Sequence, residues 1–328
     1  MGIGHVMRCL ALAEELLERG LAVVLVTDLV GVPWAEEQVR RRGIVVRPPS
    51  PGETVWDAVA AVGPIAVVVD SYLLGDEVYV ALKASWPLLA LVDGDPRGRA
   101  ADIYLDQNLG AEDSAGPLPD GTRFLGGLDY AQQRRDIVKQ RPAAPKIAAD
   151  EHDPLSVLAF FGGTDAYGVA PRVARLVAAS GLPCALTVVA ATTALAEQIE
   201  AVEPAPGQTV KVIGPTDDLP ALVAEADLVL SAAGTSAWEL FCLGAAVGFV
   251  CVADNQAAAY TRMGKEGLAV GVATLAELEG DDAGVRPRLR ELFGDVRLRE
   301  RLRAACWAKV DGRGPARVAD ALLVDPAG

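Results

Sequence analysis

The sequence predicts an α/β protein built from two doubly wound, Rossmann-like domains, and three observations carry that expectation. Short apolar runs alternate with amphipathic helical stretches along nearly the whole chain, the order that produces parallel sheets covered on both faces. Glycine turns follow buried-looking runs, as at Gly162-Gly163 and Gly234. A length of 328 residues suits two domains, and the Pro- and Ala-rich stretch from Lys139 to Pro154 interrupts the alternation. The expected division is residues 1–142, a linker over 143–154, and residues 155–328 ending in a helical tail. In this arrangement the strand ends of the two domains face each other across a cleft.

Composition narrows the function. Hydrophobic residues make up 51% and charged ones 23%, ample for buried cores. A net charge of −14 repels nucleic acid and anionic membrane, while a phosphate-bearing small ligand stays compatible because helix ends bind phosphate locally. Cys9, Cys184, Cys242, Cys251 and Cys306 are scattered, odd in number and without C-x-x-C spacing, so they read as buried thiols in a reducing, cytoplasmic setting. No charged-then-apolar leader opens the sequence. The apolar region Leu228 to Ala253 is broken by Ser231, Gly234, Glu239, Gly244 and Gly248, which favours strand–helix–strand over a membrane span. A monomer is expected.

In chain order, Met1 to Gly20 is an amphipathic helix. Val6, Cys9, Leu10, Ala13, Leu16 and Leu17 form its apolar face, and Arg8, Glu14, Glu15, Glu18 and Arg19 its polar one. Gly2 and Gly4 permit a tight turn before it, where free amides and the helix dipole favour anions. His5 sits at that opening, either as a cap or as a working group. Strands are expected at Leu21 to Thr27, Ile44 to Val46, Ile65 to Val69, Leu88 to Val92 and Ile103 to Leu105, with helices at Pro33 to Arg42, Thr54 to Val62 and Asp76 to Ser85. Ligands of such sheets bind beyond the carboxyl ends of the strands, where Asp70, Ser71, Tyr72, Asp93 and Asp106 fall; each aspartate serves equally well as a turn-former or cap. Asp93-Gly94-Asp95 resembles a metal-binding D-x-D pair but reads as a turn, and His152 in the linker reads as solvated.

The second half repeats the alternation from Ser156 to Val252, followed by a helix at Gln256 to Glu266 and a helical pattern from Arg286 to Val324. Two of its turns are phosphate-cradle candidates, Phe161 to Asp165 and Ser231 to Ser236. Neither has the lysine of a Walker loop or the dinucleotide glycine spacing. Hydroxyls of Ser231, Thr235 and Ser236 can add donors to backbone amides, and Glu239 either accepts from a ribose diol or complements the helix dipole.

Read together, Gly4-His5-Val6-Met7-Arg8-Cys9-Leu10, Asp70-Ser71-Tyr72, Leu125-Gly126 with Tyr130 and Arg134, Phe161-Gly162-Gly163-Thr164-Asp165, Ala233-Gly234-Thr235 with Trp238-Glu239, and Asp254-Asn255-Gln256 form an ordered set. This set resembles the UDP-sugar hydrolases of pseudaminic acid biosynthesis and the related spore-coat polysaccharide proteins, over Gly4 to about Gly271. The resemblance implies a two-domain fold of the GT-B type and metal-independent, inverting hydrolysis of a UDP-linked diacetamido-trideoxy-altrose at the anomeric C–O bond, without a cofactor. It makes His5 the catalytic residue and places Gly4, Arg8, Asp70, Tyr72, Tyr130, Asn255 and Gln256 around the substrate. It also implies that UDP is held by Gly162, Gly163, Asp165, Ser231, Gly234, Thr235 and Glu239. Histidine, with an ordinary pKa of about 6.5, can be a neutral base near pH 7. A GT-B glycosyltransferase using a UDP-sugar donor, which also carries a Gly-His turn, is the competing reading; its acceptors are often lipid-linked, and the first-domain helices show no basic or apolar patch to meet one. A nucleotide-sugar-binding regulator without turnover is the third. Members of the family begin with a strand before the Gly-His turn, whereas Met1 directly precedes Gly2 here, so a misassigned start and an open slot beside Val23 to Val26 are expected.

Overall fold

Apolar periodicity delivers helix α1 (Ile3–Glu18) where it is expected, and from it the chain alternates through the first unit: β1 (Val24–Leu25), α2 (Pro33–Arg41), β2 (Val45–Val46), α3 (Val55–Ala60), β3 (Val67–Val69), α4 (Asp76–Lys83), β4 (Leu88–Leu91), β5 (Ile103–Asp106), β6 (Arg123–Gly126) and α5 (Arg135–Gln140). The structure is a computed structural model and describes residues 3–29, 33–94, 96, 98–113, 116, 118–147, 154–280 and 283–324. Gly2, Asp95 and His152 lie outside the described residues. The chain divides into two compact units, Met1–Arg135 with Gly312–Gly328, and Asp136–Asp311.

Strands of the first unit fall into two parallel sheets, β1-β2 and β3-β4-β5-β6. Helix α1 ties them together. Val6, Leu10 and Ala13 pack with Val39 and Ile44 beside the first sheet, while Leu12 packs with Leu89, Leu91 and Leu105 of the second. Beside Val23 to Val26, where a gap is expected, β1 pairs with β2 and no described strand joins it to β3. Val26 nonetheless packs against the core formed by Val67, Val69 and Leu88.

The second unit forms one parallel sheet. Its elements are β7 (Leu155–Phe160), α6 (Val169–Ser180), β8 (Cys184–Val189), α7 (Thr193–Glu200), β9 (Gln208–Ile213), α8 (Leu219–Glu225), β10 (Leu228–Ala232), α9 (Ser236–Cys242), β11 (Val247–Cys251), α10 (Ala257–Lys265), β12 (Val270–Thr274), α11 (Leu275–Glu279), α12 (Val285–Gly294) and α13 (Val296–Lys309). The strand order β12-β11-β10-β7-β8-β9 reverses direction between β7 and β10, the switch point at which doubly wound sheets open a crevice. Strand β12 was not expected, because Gly271 interrupts its apolar run. That glycine is required: a Cβ there would sit 2.6 Å from the Tyr260 ring.

Two features differ from the sequence reading. The final helix, α14 (Gly314–Leu323), belongs to the first unit, where Val318, Ala319 and Leu322 join Leu12 and Leu125 in one core. Arg19 pairs with Asp320 at 2.7 Å, and Arg317 donates to the Asp129 carbonyl at 2.9 Å. Periodicity identifies such a helix but not the core it joins. The start of the Pro- and Ala-rich stretch is also anchored: the Arg141 guanidinium donates to the carbonyls of Trp307 at 2.6 Å and Val310 at 2.7 Å and stacks on the Trp307 ring. Among the described residues no helix is long and apolar enough to cross a membrane.

Candidate active site

Helix α1 does not present a fully solvated polar face. Arg8 and Glu14 are buried, and both meet opposite charge or donors: Glu14 pairs with Arg42 and accepts from the Arg135 amide at 2.7 Å. Arg8 points toward the carboxyl ends of β3 and β4. Its Nε and Nη2 each donate at 2.6 Å to the two oxygens of Asp70, a bidentate fork, and its Nη1 donates to Asp93 at 2.9 Å. Burial of a guanidinium costs solvation unless it is paired, and here two carboxylates pair it.

One helical turn earlier, His5 Nδ1 lies 2.6 Å from Asp70 Oδ1. The imidazole keeps 16% of its side-chain surface exposed and Asp70 only 3%. Arg8 Nη2 also lies 3.3 Å from Nδ1, but the shorter contact, to a carboxylate that only accepts, assigns the proton of the neutral ring to Nδ1 and leaves Nε2 bare. Tyr72 stands edge-on to the His5 ring, centroids 4.7 Å apart, and its hydroxyl donates to Asp93. His5, Arg8, Asp70 and Tyr72 thus converge, with Gly4 preceding His5 in the first turn of α1.

Electrostatics follow from this packing. Burial works to raise the Asp93 carboxyl, but the hydrogen bonds and charge of Arg8, with Tyr72 and Asn108, outweigh it and hold Asp93 at about 2. Burial and the Asp93 carboxylate push the Tyr72 phenol up to about 12. Burial alone would lower the Arg8 guanidinium, and its bonds to Asp70 and Asp93 raise it instead. The cluster therefore keeps fixed charges around His5 throughout the neutral range.

The sequence places Asp93 beyond a strand end but reads it as a turn, and it does not single out Asn108. Asn108 Nδ2 bridges Asp93 at 2.9 Å and Asp106 at 2.8 Å, and Asp106 accepts from the Gly94 and Asn108 amides at 2.7 and 3.0 Å. A D-G-D stretch looks like a turn, and no spacing in sequence links position 8 to position 93. Tyr130 stands apart from this group: its ring packs on the core of Leu12, Leu125 and Val318. A cavity of about 330 Å³ beyond β1 and β2, lined by Thr27, Leu29, Val39 and Ile44 among others, shares no lining residue with the His5 cluster.

In the second unit the candidate turns follow adjacent strands. β7 ends at the Gly162-Gly163 turn, where both glycines are exposed and Gly162 has φ +77°. Asp165, at φ 41°, is buried and caps α6, its two oxygens accepting from the Val169 amide at 2.8 Å and the Ala170 amide at 2.9 Å. Asp165→Ala is expected to lower the unfolding free energy by about 2 kcal/mol, read from urea melts; unchanged stability would show that the carboxylate is not the cap. Ser231 lies inside β10, 1% exposed, so the open part of its turn is Gly234 and Thr235. Gln256 bonds the Val252 amide at 3.1 Å and lies against Gly234, 3.6 Å from where a Cβ would be. Asn255 is exposed beside it, and the half-buried Glu239 stands in the first turn of α9. The structure thus gathers Gly234 and Gln256, and by the β7–β10 register sets the Gly162 turn on the neighbouring strand.

No protein-family model and no curated protein sequence matches the chain. Solved structures do. MurG of Acinetobacter baumannii is 17% identical, covering 97% of this chain and 96% of its own, with a TM-score of 0.72. S. aureus MnaA, solved with UDP, is 13% identical over 97% and 93% of the two chains, with a TM-score of 0.63. The spinosyn rhamnosyltransferase SpnG, complexed with thymidine diphosphate, is 16% identical over 97% and 96%, with a TM-score of 0.61. The fold is of the GT-B type. At these identities the likeness speaks to fold, and the site must carry the function.

Proposed function

We propose that the protein hydrolyses a UDP-linked deoxy-diacetamido sugar to free sugar and UDP. The observation that carries this reading is the imidazole of His5, fixed at Nδ1 by Asp70 and leaving Nε2 bare at the ends of the first-unit strands. In the reaction, Nε2 takes a proton from water as the water oxygen bonds to the anomeric carbon. The bond from that carbon to the diphosphate oxygen breaks, and UDP leaves with the electron pair. The imidazolium then formed faces Asp70, and the pair of carboxylates against one guanidinium leaves the surrounding cluster with a net negative charge to stabilise it. UDP is assigned to the second-unit turns at Gly162-Gly163 and Gly234-Thr235, with Asn255 and Gln256 beside them. MnaA with UDP and SpnG with thymidine diphosphate, two structural neighbours, support a nucleotide diphosphate as ligand.

Incubation with a panel of UDP-sugars and no acceptor tests the reading, and release of free sugar with UDP is the expected result. Intact donor throughout the panel would reject hydrolysis. One observation favours a glycosyltransferase as the second reading: first-unit helices expose the apolar side chains Trp56 on α3 and Val80 on α4. A transferase would release UDP only once an acceptor is added.

For the nucleotide, Glu239→Ala is expected to weaken UDP about tenfold, since a hydrogen bond to a charged acceptor contributes roughly 1.5–3 kcal/mol. Calorimetry with UDP alone checks this, and unchanged affinity removes Glu239 from the site.

A further inference from the structure

Asp70 and Tyr72, which contact the His5 ring, are each held by something else, and both lines of support lead to the same side chain. Asp70 accepts from His5, and the orientation of its carboxylate is set by the Arg8 fork. The far edge of that fork rests on Asp93, with Nη1 at 2.9 Å from Oδ1 and Nη2 at 3.1 Å from Oδ2. Tyr72, the ring edge-on to His5, is tied through its hydroxyl to the same carboxylate. We propose that Asp93 is a positioning residue for His5, fixing from one carboxylate both the Arg8–Asp70 pair behind the ring and the Tyr72 ring beside it.

Asp93 is suited to this by where its own anchors lie. It accepts from groups on three separate segments: Arg8 on α1, Tyr72 after β3 and Asn108 after β5. Asn108 is locked in turn because Asp106 takes both its side-chain amide and its backbone amide, together with the amide of Gly94. The support for His5 therefore ends on backbone beyond two neighbouring strands, β4 and β5, rather than on a mobile side chain. Removing the charge at Asp93 leaves a buried guanidinium with one carboxylate partner. It also removes the carboxylate to which the Tyr72 hydroxyl donates, so the Asp70 oxygens and the Tyr72 ring lose their shared reference together.

The inference rests on His5 being the base, and its test separates the two claims. The chain has two histidines, His5 and His152, so ring nitrogens of a ¹⁵N-labelled sample give two sets of signals and His5→Asn identifies which is which. In the parent protein at pH 8, His5 is expected to show one tautomer, protonated Nδ1 and bare Nε2. In Asp93→Asn the two nitrogens are expected to shift toward the averaged values of a ring exchanging between tautomers. Over the same substitution kcat for the UDP-sugar falls on the order of a hundredfold, as a misplaced base requires, while KM stays within about twofold. Tyr72→Phe removes only one of the two ties and is expected to give a smaller shift in the same direction, which keeps the test decisive if Asp93→Asn does not fold. His5 signals unchanged from the parent in the folded variants would overturn the role of Asp93. If no UDP-sugar is turned over by the parent protein, the hydrolase reading fails, yet the ring signals still decide whether Asp93 positions His5.

Discussion

His5→Asn is expected to reduce UDP-sugar hydrolysis by on the order of a thousandfold while leaving UDP affinity within about twofold. General bases contribute between a hundred- and ten-thousandfold, and asparagine keeps a hydrogen-bonding group near the place of Nδ1 while removing the nitrogen that takes the proton. The contact to Asp70 at 2.6 Å is what separates this expectation from a capping role. A cap directs its acceptor at the free amides of its own helix. The His5 ring is instead directed at a carboxylate 65 positions away, whose side chain is almost fully covered and clamped by Arg8. His5 and its partners belong to the first unit and the turns assigned to UDP to the second, so binding and turnover should separate. Rates are read from UDP release, and affinity from calorimetry with UDP alone. Turnover at the parent rate would return His5 to a structural role and end the proposed mechanism.

The uneven legibility of this molecule has physical causes. Helix α1 and His5 were readable because a glycine turn before an amphipathic run is a local signal, and Asp70 and Tyr72 because a buried run ends just before them. What tied them together was not local. Arg8 looked like part of a solvated face because periodicity counts charges and not partners, and its two carboxylates come from strands 62 and 85 positions on. Asp93 looked like half of a tight turn and proved to accept from three segments. Asp165 stood in a glycine turn that suggests phosphate, but its carboxylate satisfies the amides of its own helix. Strand β6 was passed over because it is short and opens on an arginine, and β12 because Gly271 breaks its run. The division of the first-unit strands into two sheets was legible as the gap expected beside Val23 to Val26. Helix α14 carries the right period, and only packing could reveal that it returns to the first unit.

That return depends on one residue with no side chain, and Gly314→Ala is expected to cost about 3 kcal/mol or more in the stability of the first unit. A Cβ at position 314 would stand 2.1 Å from the carbonyl oxygen of Ala131 and 2.8 Å from the carbonyl carbons of Ala131 and Tyr130. These are backbone atoms and cannot rotate aside. Helix α14 would have to move out, taking with it Val318 and Ala319, both fully buried, and loosening the core they share with Leu12, Leu89 and Leu125. The Arg19–Asp320 pair and the Arg317 bond to Asp129 hold the helix from its surface and cannot offset a backbone overlap, since exposed pairs contribute about 1 kcal/mol or less. Gly264, on α10 of the second unit, supplies the contrast. A Cβ there meets nothing within 4 Å, so Gly264→Ala should be neutral or stabilise by up to about 1 kcal/mol through helix propensity alone. Amide hydrogen exchange across α14 and α1, alongside urea melts, distinguishes the two variants: exchange should accelerate in Gly314→Ala at Val318 to Leu322 and at the α1 residues that face them. Protection of α14 equal to the parent's would mean that position 314 tolerates a side chain and that the helix is not held against the Tyr130–Ala131 backbone.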